Sequence, residues 1–191
     1  EQGMYIRISF TNCLLKYCKW GSLVMDRYAI IMAGGGGTRF WPLSRYNMPK
    51  QFLNISGNEL MINEAIKRLI DIIPLKNIYV VINKNQSCNI EHLIINEFPR
   101  ENILYEPVGR NTAACITYAA MVINRRGGDS VMYVFPSDHY IANEDKFRQI
   151  LNKAYTVAQN TKKLITIGIN PTFPSSGYGY IRFNRGSYEI E

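Results

Sequence analysis

The sequence predicts an α/β protein with a Rossmann-like, mostly parallel sheet covered by helices on both faces. After residue 24, short runs rich in β-branched residues alternate with longer stretches whose apolar residues have helical spacing. The short runs are almost continuously apolar, as expected for strands buried on both sides. Strands joined by helices in this way form parallel sheets, which bind ligands beyond the carboxyl ends of their strands.

Five strands and four helices follow from this pattern. The strands are predicted at residues 28–32, 78–82, 103–105, 131–135 and 164–169. The helices are predicted at residues 60–73, 90–98, 111–125 and 144–159. Pro74 and Pro99 mark the ends of the first two helices, and the pair Gly127-Gly128 marks the end of the third.

Residues 1–24 differ in character from the rest. Arg7, Lys16 and Lys19 interrupt every apolar window that a signal peptide requires, and no run approaches the ~20 apolar residues of a membrane span. We expect Met25 to be the natural start, preceded by upstream translation or a poorly ordered extension. The alternative is an extra helix packed on a domain formed by residues 25–191.

Composition narrows the class of ligand. The net charge of +7 suits an anionic small molecule such as a nucleotide. The basic residues are scattered rather than interleaved with aromatic residues, so we predict neither a nucleic-acid partner nor a membrane partner. The oligomeric state is left open, a homo-oligomer included.

The cysteines and histidines argue against a metal cluster of the zinc type. The four cysteines have neither a C-x-x-C spacing nor a nearby histidine, which predicts reduced thiols and a cytoplasmic protein. They are Cys13, Cys18, Cys88 and Cys115. Only two histidines occur, so a histidine-rich metal centre is excluded.

Four consecutive glycines, residues 34–37, follow the first predicted strand. Bare backbone of this kind lets N–H groups approach an anion closely. A dinucleotide fingerprint fails because Arg39 occupies the position of its third glycine, and no Gly-Lys pair completes a Walker A loop. The cations that follow, Arg39, Arg45 and Lys50, favour a phosphate site over a merely flexible turn.

The segment "MAGGGGTRFWPLSRYNMPKQFL" resembles the signature of sugar-nucleotide pyrophosphorylases, and specifically that of the mannose-1-phosphate guanylyltransferase family. "EPVGRNTAACITYAA", "FPSDH" and "GYGYI" resemble further blocks of this family in the same order, and the resemblance covers residues 25–191. It implies the reaction GTP + α-D-mannose 1-phosphate → GDP-mannose + diphosphate, with Mg²⁺ as cofactor. It also implies a nucleotidyltransferase domain that is incomplete on its sugar-binding side, because an F-x-E-K-P block does not follow.

Three residues are candidates for catalysis. Nucleotidyl transfer is an in-line displacement that depends mainly on charge neutralisation and positioning. Arg39 can hold the leaving pyrophosphate, and Lys50 can bridge the α-phosphate and the attacking sugar phosphate. Asp138 ends an apolar strand, where its carboxylate suits Mg²⁺. The alternatives are solvated loop cations for the first two and a helix cap for Asp138; His139 receives no catalytic role.

The nucleotide-binding candidates lie in the glycine loop and after the third strand. Glu106 can accept from the two donors on the edge of guanine, and Asn111 and Thr112 begin a helix whose free N–H groups suit a nucleotide. Arg110 either contacts phosphate or holds its loop. The full set is Ala33, Gly34, Gly35, Gly36, Gly37, Thr38, Arg39, Glu106, Arg110, Asn111 and Thr112. The family usually has proline where this chain has Ala114, which leaves the local geometry less defined.

Tyr178 and Gly179 are sugar-binding candidates by the resemblance, since the family places this stretch against the hexose. Without the resemblance, "SSGYGYIRF" would suit a strand edge with aromatic packing equally well. Two other functions stay open at this point. One is a nucleotidylyltransferase for another base or hexose 1-phosphate, and the other is a non-catalytic nucleotide-binding fragment.

Overall fold

Four parallel strands form one sheet in the computed structural model, which describes residues 25–35, 41–45, 49–55, 59–86, 91–177 and 179–181. The strands are β1 Asp26–Met32, β2 Ile78–Asn83, β3 Ile103–Glu106 and β4 Ser130–Pro136. Their spatial order is β3-β2-β1-β4, and each neighbouring pair is parallel. The predicted fold class and the first four predicted strands are confirmed, whereas the predictions for residues 1–24 lie outside the described residues.

Three helices cover the two faces of this sheet: α1 Met61–Ile70, α2 Asn111–Gly127 and α3 Glu144–Thr161. Alternate residues of each strand point to opposite faces. On one face, Ala29 and Ile31 of β1 belong to a core shared with α1 and α3. On the other face, Tyr28 and Ile30 belong to a second core shared with α2. This two-sided burial explains why the strands are almost continuously apolar.

Between α2 and β4, the backbone at Gly127 passes close to the ring of Tyr28. A Cβ added to Gly127 would lie 2.2 Å from the Tyr28 hydroxyl oxygen, so this position has no room for a side chain. Gly128 follows with a φ of 70°, a conformation that glycine adopts at little cost. Together these two residues end α2 and direct the chain into β4.

The helix predicted at residues 90–98 is wrong over its described part. The structure has a short 3-10 turn, Glu91–Leu93, followed by irregular chain. The amide of Asn63 accounts for this difference, because it takes backbone groups that a helix would use. Asn63 Nδ2 donates to the Leu93 carbonyl at 3.0 Å, and the Ile95 N–H donates to Asn63 Oδ1 at 3.1 Å. Ile94 and Phe98 are nevertheless buried, as the helical spacing predicted.

The strand predicted at residues 164–169 is also wrong, because this segment joins no described ladder. Ile165 and Ile167 pack against the core, while Leu164 and Ile169 are 64% and 52% exposed. The alternating pattern therefore describes an extended segment with one side on the core. A strand also requires a hydrogen-bonded neighbour, which such a pattern does not supply. None of the helices in the described part of the chain is long and apolar enough to cross a membrane.

Candidate active site

The carboxyl edge of the sheet collects three segments that follow strands β1, β3 and β4. At the end of β1, the Ala33 N–H donates to the Val81 carbonyl at 2.8 Å. The Ser137 N–H, which follows β4, donates to the Met32 carbonyl at 3.2 Å. The start of the glycine loop is thereby fixed between β2 and the segment that carries Asp138.

Lys50 and Asp138 form an ion pair at this edge, with Lys50 Nζ donating to Asp138 Oδ2. Each of these side chains is 21% exposed, so the pair lies at the surface of the site rather than in the core. Lys50 begins the 3-10 turn Lys50–Phe52, and Phe52 anchors that turn because its ring is buried in the core. Parallel topology thus joins two predicted site residues that lie 88 positions apart.

Asp138 offers Mg²⁺ a partly exposed carboxylate at the carboxyl edge of the sheet, and carboxylate oxygens are ligands that this ion prefers. No group of three or more His, Cys, Asp or Glu side chains converges among the described residues. Mg²⁺ is commonly held by one or two carboxylates together with phosphate oxygens and water, so a single Asp138 fits this type of site. Asp138 does not cap α3, because that role belongs to Asn143, whose side chain accepts from the Lys146 N–H at 2.9 Å.

Arg68 holds the segment just after Asp138. This guanidinium is buried on α1, where Nη1 donates to the His139 carbonyl at 3.3 Å and Nε contacts Glu144 Oε1 at 3.4 Å. Glu144 lies in the first turn of α3. Arg68 therefore connects α1 to both ends of the segment that joins Asp138 to α3.

Glu106 ends β3 and lines an open cleft of about 790 Å³ together with Lys84, Arg110, Ala114 and Tyr118. The Glu106 side chain is buried, and this desolvation raises the pKa of its carboxyl group. A Cβ added to Gly34 would lie 2.9 Å from Glu106 Oε2. Gly34 is therefore needed for the carboxylate to lie directly against the glycine loop.

The N-terminus of α2 lies beside this cleft. The helix begins at Asn111, as predicted, and Arg110, Asn111 and Thr112 are all exposed. Arg110 is the N-cap residue and its side chain makes no capping hydrogen bond, while the first N–H groups of a helix have no partner within the helix itself. Asn111 has a φ of 63°, a left-handed conformation that asparagine adopts more readily than most residues.

The remaining predicted residues divide into two groups. Ala33 is buried at the end of β1, Gly35 and Arg45 are exposed, and Gly179 lies in an exposed segment near the end of the described chain. In that segment Tyr180 Oη donates to the Ser175 carbonyl at 3.0 Å. The predictions for five residues lie outside the described part of the chain: Gly36, Gly37, Thr38, Arg39 and Tyr178.

Two polar residues at this edge were missed by the sequence analysis. Asn83 ends β2 and lies 3.7 Å from the position of a Cβ on Gly109, in the loop that follows Glu106. Its place directly after an apolar strand is the same signal that identified Asp138. Gln51 is fully buried and donates from Nε2 to the Ala33 carbonyl. Only its position next to Lys50 could have drawn attention to it.

The family model for nucleotidyl transferases matches residues 28–191. The chain belongs to this family. It is 42% identical over 164 residues to a mannose-1-phosphate guanylyltransferase of Escherichia coli (strain K12), covering 81% of this chain and 33% of that relative. It is 40% identical over 162 residues to the xanthan biosynthesis protein XanB of Xanthomonas campestris pv. campestris (strain B100), covering 85% and 34%.

A solved structure supports the same family assignment. It is the crystal structure described as mannose-1-phosphate geranyltransferase from Thermus thermophilus, with a TM-score of 0.63 and 29% identity. The match covers 70% of this chain and 38% of that one. The chain spans about a third of the length of the curated relatives named above.

Proposed function

We propose that this chain carries the nucleotide-binding and phosphoryl-transfer residues for the reaction GTP + α-D-mannose 1-phosphate → GDP-mannose + diphosphate. The observation that carries this proposal is the Lys50–Asp138 ion pair. Asp138 follows β4, and Lys50 lies in the segment after the neighbouring strand β1, in a turn that Gln51 connects to Ala33 at the start of the glycine loop. The activity named for the Escherichia coli relative supports the choice of substrates.

Lys50 supplies the positive charge for the transfer step. The phosphate of the sugar substrate is already ionised at neutral pH, so its oxygen attacks the α-phosphorus of GTP without a general base, and diphosphate leaves. Lys50 Nζ stabilises the charge that the α-phosphate and the attacking oxygen share. Arg39 holds the departing diphosphate in this proposal.

Asp138 is the residue that would hold Mg²⁺. The bound ion would neutralise charge on the phosphate oxygens of GTP. Lys50 pairs with Asp138 Oδ2, so in this proposal the lysine leaves the carboxylate for a phosphate when GTP and Mg²⁺ bind.

Glu106 is proposed to select guanine. An ionised carboxylate accepts from both N1–H and the exocyclic amine, whereas the corresponding edge of adenine offers no matching pair of donors. The cleft of about 790 Å³ beside Glu106 has room for a nucleoside. Gly34 and Gly35 let it lie on bare backbone, and Arg110, Asn111 and Thr112 offer donors from the start of α2. Tyr178 and Gly179 are proposed to contact the hexose.

We further propose that the protein works in the cytoplasm on small-molecule substrates. The cysteine that the structure describes, Cys115, is a buried free thiol, as is usual for proteins of a reducing compartment. Burial raises the pKa of Cys115 to about 12, so it is no nucleophile at neutral pH.

Pyrophosphate release measured with this chain, GTP, mannose 1-phosphate and Mg²⁺ tests the proposal, with Asp138→Ala as a control. Release that requires both substrates and disappears in the control would support the full reaction. GTP binding by calorimetry without release would limit the chain to nucleotide binding. Comparing the four nucleoside triphosphates tests guanine selection, and binding of none of them would overturn the proposal.

A further inference from the structure

Gln51 connects the turn that carries Lys50 to the start of the glycine loop. The side chain is fully buried, and its Nε2 donates to the carbonyl oxygen of Ala33. Ala33 immediately precedes Gly34, and a Cβ added to Gly34 would lie 2.9 Å from Glu106 Oε2. One side-chain amide therefore lies between the ion pair and the nucleotide cleft.

The orientation of this amide is fixed by its partner. A carbonyl oxygen can only accept, so the NH₂ group of Gln51 must face Ala33. The other end of the amide, Oε1, is then buried without a hydrogen-bond partner in the described part of the chain. A buried acceptor without a partner costs free energy, so stability alone gives a poor account of glutamine at this position.

The rest of the Lys50 turn has its own anchors. Phe52 is buried in the core, and the Met61 N–H donates to the Leu53 carbonyl at 3.1 Å, which connects the turn to α1. These contacts fix the turn to one face of the sheet but not to the loop that follows β1. The contact between Gln51 and Ala33 supplies that missing connection.

We propose that Gln51 is a positioning residue that sets the distance between Lys50 and the glycine loop. This inference rests on the proposed nucleotide site, because the distance matters only if both segments hold the same triphosphate. A displacement of about 1 Å in such a site can cost on the order of a hundredfold in rate. The amide acts through Lys50 and Ala33 and has no contact with the reacting atoms in this proposal.

The test compares the full chain with Gln51→Met, Gln51→Leu and Leu151→Ala. Methionine fills a similar volume without the amide, so it removes the bond to Ala33 and the unpaired acceptor together. We expect Gln51→Met to shift the melting temperature by no more than about 4 °C, yet to weaken GTP binding in calorimetry by about tenfold. Leu151→Ala weakens the core at α3, away from the Lys50 turn, and should lower the melting temperature while leaving GTP affinity unchanged.

A second measurement does not depend on nucleotide at all. Amide hydrogen exchange of the ligand-free proteins should be faster at residues 33–35 in both Gln51 variants than in the wild type. Unchanged exchange, or GTP affinity that falls only in proportion to lost stability in all three variants, would overturn the inference. Faster exchange in a protein whose wild type does not bind GTP would support the tether and reject the proposed function.

Discussion

Lys50 Nζ donates to Asp138 Oδ2 across the carboxyl edge of the sheet, although the two residues are 88 positions apart in the chain. The pair is partly exposed, so its contribution to the free energy of folding is small, about 1 kcal/mol or less. Its significance is chemical. In the proposed function, these two opposite charges serve the triphosphate and its metal ion.

Replacing Lys50 should therefore remove activity rather than structure. We expect Lys50→Met to lower the rate of pyrophosphate release by about 10²–10³-fold, because one pre-placed charge at the α-phosphate is lost. Lys67→Met is a matched control, since Lys67 pairs with Glu59 in an exposed ion pair away from the site. A coupled pyrophosphate assay measures both, and similar losses in the two variants would contradict the assigned role.

Glu106→Gln should change nucleotide preference. An amide can accept from only one of the guanine donors, so GTP affinity should fall by about 10–100-fold while ATP affinity stays the same or improves. Calorimetric titration with both nucleotides measures this ratio. Glu101→Gln alters an exposed carboxylate just before β3 and should leave the ratio unchanged. If Glu106→Gln kept the preference for GTP, guanine would be recognised elsewhere.

The burial of Glu106 also predicts a pH dependence of stability. Desolvation raises the pKa of its carboxyl group in the folded protein above the usual 4.5. The folded state then holds a proton more firmly than the unfolded state, so stability falls as the pH rises from 4.5 through the raised pKa. Well below pH 4.5, the melting temperatures of wild type and Glu106→Gln should change with pH at the same rate. As the pH rises from 4.5 through the raised pKa, the wild type should lose stability relative to the variant, and parallel curves at all pH values would contradict this.

Gly34→Ala should disturb the nucleotide cleft through Glu106. The new Cβ would lie 2.9 Å from Glu106 Oε2, so the carboxylate must move. We expect GTP affinity to fall by about tenfold, since one hydrogen bond to a charged group is displaced. Gly168→Ala adds the same methyl group at a position with no atom within 4 Å and should bind GTP normally. Equal GTP affinities in the two variants would show that the close contact between Gly34 and Glu106 does not affect nucleotide binding.

Gly127→Ala should destabilise the fold without touching the site. Its Cβ would meet the Tyr28 ring, at 2.2 Å from the hydroxyl oxygen and 2.8 Å from Cζ. Overpacking of this kind costs about 1–3 kcal/mol, which chemical denaturation can measure. Adding Tyr28→Phe removes the nearest atom and should restore part of the loss. No recovery in the double variant would point to a backbone effect at Gly127 instead.

Most of the fold could be predicted from the sequence because its strands are short, apolar on both faces and separated by helices. The two failures have local causes. At residues 91–98, one side chain, Asn63, takes the backbone groups that a helix would use. At residues 164–169, alternation indicated contact with the core but could not supply a neighbouring strand.

The site residues that could be predicted are those in sequence motifs that follow the predicted strands. Lys50, Glu106 and Asp138 were named from their positions in motifs, and topology brings the first and last together. Gln51 was not found, because neither its complete burial nor its bond to Ala33 leaves a pattern in the sequence. The clash that restricts Gly34 was invisible for the same reason, since it depends on a residue from another strand.

The extended segment after α3 has a practical consequence. Leu164, Ile169 and Phe173 form a set of large apolar side chains that are each more than half exposed, and Ile165 and Ile167 pack beside them without entering a described ladder. Large exposed apolar side chains on an extended segment favour self-association. Leu164→Lys or Ile169→Lys would replace one of these exposed apolar side chains with a charge and so lower the tendency to self-associate.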